Sequence, residues 1–252
     1  CYTITTGHQL NLLGGSQFFY TKILDVIRFS KKLSISSKFD FVPVFWMATE
    51  DHDYEEISSV SLFGKKISCP GENKGPVGRI SNTYFKEFLD EVELILGDGE
   101  RFKEIKEIIL KAFKENKNLA EITKSFVRAL FSKQGLLIID GDDKNLKNRF
   151  SSYAVQEVNN FTTQKAVNLQ NDLLSGYKIQ VSPREINLFY IEDNIRERII
   201  KTDNGFSTVN NLKNWTKEEF EEFLASNSDY ISPNVLLRPL YQEIILPNVA
   251  YM

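Results

Sequence analysis

Only two histidines occur in the 252 residues, and each follows a strand-like run and sits among groups that could do chemistry. The first lies in Thr6-Gly7-His8-Gln9-Leu10-Asn11, just ahead of the turn Gly14-Gly15-Ser16. Backbone amides, the His8 imidazole and the Gln9 carboxamide before a helix N-terminus suit a bound carboxylate or phosphate. The start of a helix carries unpaired donors and the positive end of its dipole. The second lies in Glu50-Asp51-His52-Asp53. Three carboxylates around an imidazole raise its proton affinity or receive an amine. Asp51, His52 or Asp53 then suits general-base work on an amine that must lose a proton to attack a carbonyl. Each loop also has a plainer reading. Gly7, Gly14 and Gly15 can simply make a turn with His8 packed against it, and Asp51 or Asp53 can cap a helix beginning near Tyr54.

Two further groups stand out. Asp140, Asp142 and Asp143 end a third strand-like run, and read as a capping turn rather than a magnesium site. A metal held by His52 and carboxylates is the minority reading in so histidine-poor a chain, so no metal is expected. Arg238 sits in the β-type segment Ser232 to Leu240, followed by Gln242 and Glu243. An arginine among apolar residues is either a structural ion-pair partner or a fork for a carboxylate or phosphate.

The elements that must position these groups read as α/β. Tyr2 to Thr6 is β-branched and aromatic, and Ser16 opens a helix to about Leu33 with Phe19, Ile23, Val26 and Ile27 at helical spacing. Phe41 to Met47, with Pro43 near its start, suits a buried parallel strand. Strand, glycine loop, helix and strand place polar groups at the carboxyl ends of a mostly parallel sheet, so both histidine loops are expected to line one cleft. Leu62 to Ser68 is expected to extend that sheet, with a loop over 70–78. Three apolar stripes of helical period across about 82–131 predict a helical insertion. Beyond it come a strand at Leu136 to Ile139, one long helix to about Leu174, a hairpin around Asp193-Asn194 and a short helix from Thr216 to Leu224.

Composition bounds the rest. At 252 residues and 42% hydrophobic, the chain can bury one large α/β domain or two small ones. A net charge of −3 and a pI near 5.6 give no general attraction to nucleic acid or an anionic membrane. No apolar run approaches the roughly 20 residues needed to span a bilayer. Cys1 and Cys69 are too few for a disulfide framework, which points to a reducing cytoplasm and makes the glycosylation matches at Asn160 and Asn214 incidental. Both ends read as cut, as in an internal piece of a longer protein, truncated on each side of a 1–252 core.

Taken together, several blocks resemble the bacillithiol synthase (BshC) family. They are Thr6-Gly7-His8-Gln9, Gly14-Gly15, Lys22, Val42-Pro43-Val44-Phe45-Trp46, Glu50-Asp51-His52-Asp53, and Ser232-Pro233-Asn234 through Leu237-Arg238-Pro239. Their order and spacing agree along the whole chain. The resemblance implies a Rossmann-like core with helical connecting segments, akin to class I aminoacyl-tRNA synthetases. It implies a bacterial ligase that joins L-cysteine to glucosaminyl-malate, with ATP or ADP as the nucleotide. Gly7, Gln9, Asn11, Gly14, Gly15, Lys22, Trp46, Glu50 and Arg238 would be the binding residues, with His8, Asp51, His52 and Asp53 catalytic. Family members dimerise through a coiled coil and carry a glycine-rich continuation, neither evident here. The synthetase pattern is also broken, since Thr5 stands where its first histidine would be and no lysine-serine-lysine loop follows. The competing functions are a nucleotidyl transferase on another metabolite and a non-catalytic nucleotide- or metabolite-binding module.

Overall fold

Tyr2–His8 forms strand β1, Gln17–Ser36 helix α1 and Phe41–Met47 strand β2, in a computed structural model that describes residues 1–252. The two strands pair in parallel, from Tyr2 opposite Phe41 to His8 opposite Met47. Both histidine loops therefore leave the same edge of the sheet. The apolar run of β2 is buried on both faces from Pro43 onward, which is why it does not alternate.

A four-residue helix α2 (Tyr54–Ile57) leads into β3 (Ser59–Leu62) and β4 (Lys65–Ser68). These pair only with each other, so Leu62 to Ser68 does not extend the main sheet as expected. The reason is the turn: Phe63 and Gly64 both have positive φ (50° and 81°), the backbone of a tight two-residue hairpin. Val60 and Ile67 turn inward while Lys65 and Lys66 stay in water.

Residues 82–131 hold helices α3 (Lys86–Leu96), α4 (Lys103–Glu115) and α5 (Leu119–Phe131), with short 3₁₀ turns and no strand. Their apolar stripes, including Phe88, Val92, Ile109, Phe113, Ile122 and Phe126, bury against Phe19 and Ile23 of α1 and Phe45 and Met47 of β2. Then β5 (Leu137–Asp140) pairs in parallel with β2. The last strand, Asn248–Tyr251, returns to the other side of β1, also in parallel. The order is last strand, β1, β2, β5, so the sheet is the parallel Rossmann-like kind, and its order reverses between β1 and the last strand. Asn248 anchors that pairing, its side-chain amide 3.2 Å from the Thr3 hydroxyl and 2.9 Å from that of Thr5.

The chain divides into two compact units, residues 1–141 with 247–252, and residues 142–246. The second begins with α6 (Lys144–Asn160) and α7 (Thr162–Leu173). These were expected as one helix, but Phe161 adopts the left-handed conformation (φ 50°, ψ 45°) and breaks the run. Next come the expected hairpin of β6 (Leu188–Glu192) and β7 (Ile195–Thr202), then β8 (Gly205–Thr208) and β9 (Asn214–Trp215). Helix α8 (Lys217–Ser226) starts in a capping box between Thr216 and Glu219, and β10 (Ile231–Pro233) precedes α9 (Arg238–Ile245). The sheet of this unit is antiparallel throughout, in the order β10-β6-β7-β8-β9.

Arg238 is thus not in a β segment. Only Ile231–Pro233 is extended; the Asn234 side-chain oxygen accepts from the amides of Leu236 and Leu237, both at 3.0 Å, and turns the chain into α9. Pro239 in the first helical turn, where a missing N–H costs nothing, completes the start.

Candidate functional site

The first loop is built by a left-handed turn. Leu13, Gly14 and Gly15 have consecutive positive φ values of 50°, 76° and 62°. A side chain at Gly14 would meet the Tyr20 and Phe19 rings at 2.8 to 2.9 Å, and one at Gly15 would meet the Asn11 Cβ at 2.7 Å. Leu13 has no such freedom, and its backbone costs on the order of 1 kcal/mol. The Tyr20 hydroxyl offsets this by donating to the Leu13 carbonyl at 2.5 Å, and burial raises the pKa of that phenol to about 12. The Gly14 and Gly15 amides donate to the Asn11 and Leu12 carbonyls, so these two glycines shape the turn and their N–H groups are already used. Ser16 at the N-cap of α1 makes no side-chain capping bond, and the Phe19 amide donates to the Ser16 carbonyl at 3.1 Å. The donors of a helix's first turn are the ones that can meet an anionic ligand.

His8 closes β1 half-buried, its ring edge-on to Phe19 at 5.4 Å. Its Nδ1 lies 3.1 Å from the Gln9 carbonyl oxygen and 3.3 Å from the Asn11 amide nitrogen, and the tautomer decides which bond forms. Burial lowers the pKa of His8; the Gln9 bond opposes this and the nearby Lys22 charge adds to it. The imidazole is therefore neutral near pH 7, a proton acceptor or hydrogen-bond donor rather than a cationic clamp. Lys22 itself donates to the Gly7 carbonyl at 2.7 Å, and burial lowers its pKa. Its ammonium holds the end of β1 in place. His8, Gln9, Asn11 and Gly15 line a cleft of about 730 Å³ with Ser16, Gln17, Glu56, Ser59 and Ser61.

The second loop is stapled by its backbone. The amides of Val77 and Gly78 donate to the carbonyls of Asp51 (2.8 Å) and Thr49 (2.9 Å). Only glycine fits at 78, where a Cβ would stand 2.7 Å from that of Thr49. The Thr49 hydroxyl donates to the Asp140 carboxylate, tying the loop after β2 to the end of β5. Glu50 is buried, at 2% exposure, whereas the His52 and Asp53 side chains are 41% and 51% exposed. His52 Nδ1 stands 3.8 Å from Asp53 Oδ1. Asp53 occupies the N-cap position of α2 but makes no side-chain capping bond, so its carboxylate faces the imidazole instead. His52 and Asp53 line a second cleft of about 570 Å³ with Glu55, Glu56, Glu72 and Lys74. Glu56 stands on the wall of both clefts.

The remaining sequence-derived residues lie elsewhere. Trp46 is buried at 1% exposure, and its indole packs against Gly141 rather than lining either cleft. Asp143 caps α6 by accepting from the Asn145 and Leu146 amides, and Asp142 forms an ion pair with buried Lys147. In the second unit, Arg238 heads α9 behind a buried polar network. Glu157 accepts from Thr162, Thr163 and Asn187, and Asn187 in turn accepts from the Asn234 amide at 2.9 Å.

Glu56, Ser59 and Ser61 escaped the sequence reading, although the alternation Ser59-Val60-Ser61 was a usable signal. Tyr251 also escaped it. It ends the last strand with its hydroxyl against Gly7, at the point where the strand order reverses and ligands of open parallel sheets bind.

Comparison with known proteins gives the same frame. Over residues 1–252 the chain matches the family described as "Bacillithiol biosynthesis BshC, N-terminal Rossmann-like domain". It is 45% identical over its whole length to a Flavobacterium johnsoniae protein named "Putative cysteine ligase BshC", and 43% to its Flavobacterium psychrophilum counterpart. A Staphylococcus saprophyticus protein of the same name is 26% identical over 99% of the chain. The chain spans about half the length of these relatives, 48% to 49%. With a parallel sheet, a histidine loop after β1 and a match from the first residue to the last, the chain belongs to the BshC family, as its N-terminal Rossmann-like domain.

Proposed function

We propose that this chain carries the catalytic core of a cysteine ligase that joins L-cysteine to glucosaminyl-malate in bacillithiol biosynthesis. One observation carries the reading. The His8 loop and the Glu50-to-Asp53 loop leave adjacent parallel strands at one sheet edge, in a chain matched throughout by the BshC domain. The reaction forms a C–N bond between the cysteine carboxyl carbon and the sugar nitrogen. The bond from that carbon to its activated oxygen breaks, the oxygen leaves with the activating group and the amine gives up a proton. The start of α1, with His8, Gln9 and Asn11, holds a carboxylate or phosphate and stabilises charge developing on the acyl oxygen. His52, oriented by Asp53 and flanked by Asp51, accepts the proton that the sugar amine must lose before it attacks. Glu50 supports that acidic loop, and Trp46 and Lys22 act through the backbone of β2 and β1; Arg238, in the second unit, is by itself a candidate fork for a carboxylate.

ATP, when bound, supplies the activation that makes the cysteine carboxyl group open to attack. The first turn of α1 suits a phosphate, while the cleft beside it offers no ring but the His8 imidazole. No helix is long and apolar enough to cross a membrane, and we place the full-length protein in the bacterial cytoplasm as a homodimer. The deciding test is turnover by the full-length protein with L-cysteine, glucosaminyl-malate and ATP, following the cysteinyl product by mass. Product that depends on all three supports the reading; ligand binding without product favours a non-catalytic module.

A further inference from the structure

The cleft beside His8 has two chemically different walls. One is the histidine loop with the start of α1; the other is Glu56 of α2 and the outer face of β3. Strand periodicity turns Val60 into the core at 6% exposure, while Ser59 and Ser61 line the cleft. The first wall favours an anion. The second offers two hydroxyls, each able to donate and accept, and one carboxylate that accepts only.

Size and lining select the ligand. About 730 Å³ is the room of a whole small-molecule site and far exceeds what free cysteine fills. Val60 is the one aliphatic hydrophobic lining residue and the His8 imidazole, held edge-on against Phe19, the one ring, so the walls favour a polar ligand over a nucleotide base. What matches is a ligand with an acidic end, several hydroxyls and an amine.

We propose that Glu56, Ser59 and Ser61 form the recognition wall for the amino sugar of the acceptor substrate, an anionic glycoside, with its acidic end toward α1. The two serines bond sugar hydroxyls and Glu56 receives the ammonium group. Because Glu56 also lines the His52 cleft, an amine held there lies at the border of the acidic loop that would deprotonate it. This assignment rests on the ligase reading for the identity of the acceptor, and it adds residues that neither the motifs nor the family match singles out.

Titration calorimetry on the full-length protein tests it, with glucosaminyl-malate, L-cysteine and ADP as separate probes. Glu56→Gln, and Ser59→Ala combined with Ser61→Ala, should each weaken the glycoside about tenfold, equivalent to about 1.4 kcal/mol and within the range of lost hydrogen bonds. Cysteine and ADP binding should stay within about twofold by the same scale. Should the serine variant not fold, Glu56→Gln alone decides, since it alters an exposed side chain. Unchanged glycoside affinity, no glycoside binding by the parent protein, or weakening of ADP or cysteine instead would each overturn the wall. Wall-dependent glycoside binding without any cysteinyl product would retire the ligase reading and leave the wall standing. Normal product formation with unchanged glycoside affinity in the variants would do the reverse.

Discussion

The Tyr251 hydroxyl lies against the α-carbon of Gly7, where any side chain would collide with it. This contact joins the two strands flanking the point of order reversal, residues 244 positions apart in the chain (251 minus 7). Gly7 is required here for close approach, not for an unusual backbone angle.

Gly7→Ala should therefore act through Tyr251. The phenol is the free end of a flexible side chain, so the expected cost is about 1 kcal/mol, in the range of coupled neighbours. Urea unfolding of Gly7→Ala, Tyr251→Ala and the double variant closes a cycle. Additive effects would mean that the two residues do not constrain each other.

The turn before α1 should tolerate no side chain at position 14. Gly14→Ala combines a strained φ of +76° with contacts under 3 Å to two rings, so a loss of about 2 kcal/mol or more is expected. Tyr20→Phe, which removes the bond to the Leu13 carbonyl, should cost about 1 kcal/mol. A Gly14→Ala protein with an unchanged urea midpoint would contradict the geometry of the loop.

His8 should impose a pH dependence of defined sign. Its folded pKa lies below the ordinary 6.5, so the folded state binds fewer protons than the unfolded chain. Stability from this group is complete above about pH 6.5 and is lost as pH falls through the lower folded value. His8→Gln should flatten the slope of stability below about pH 6.5. NMR titration of the ring offers a direct check, and a midpoint above 6.5 would reverse the prediction.

His52→Ala in the full-length protein should lower kcat by roughly 10²- to 10⁴-fold, the usual worth of a general base. Its side chain is largely outside the core and the His52 carbonyl keeps its bond from the Tyr54 amide, so stability should fall by less than about 1 kcal/mol. Parallel rate and urea measurements separate the effects. A folded variant with normal rates removes His52 from the chemistry.

Asn234→Ala should unseat the start of α9. It deletes the bonds to the Leu236 and Leu237 amides and leaves the buried Asn187 carbonyl group short of a donor, a loss of about 2 to 3 kcal/mol. Amide exchange should speed up at Leu236 and Leu237 first. Protection there equal to that of the parent would show that the turn is held by something else.

Much of the first unit was legible because its signals are local. Phe19, Ile23 and Val26 recur at helical spacing, the run Phe41 to Met47 is apolar without alternation, and three stripes mark α3 to α5; each reports burial within its own element. The positions of His8 and His52 after their strands followed from the same patterns. Errors arose where local patterns had two outcomes. The polar-apolar run through Phe161 is one helix by periodicity, yet a single left-handed residue splits it. Ser232 to Leu240 looks extended until the Asn234 side chain turns it into a helix.

What the sequence by itself determined is most of the elements of the first unit and the two loops rich in chemical groups, since side-chain periodicity and turn residues act over a few positions. Only the tertiary structure decided which strands neighbour one another, that the last strand returns beside β1, and that Glu56, Ser59 and Ser61 face His8 across a cleft. Such pairings are selected by hydrogen bonds and packing between segments distant in the chain, and no stretch of a dozen residues contains both partners.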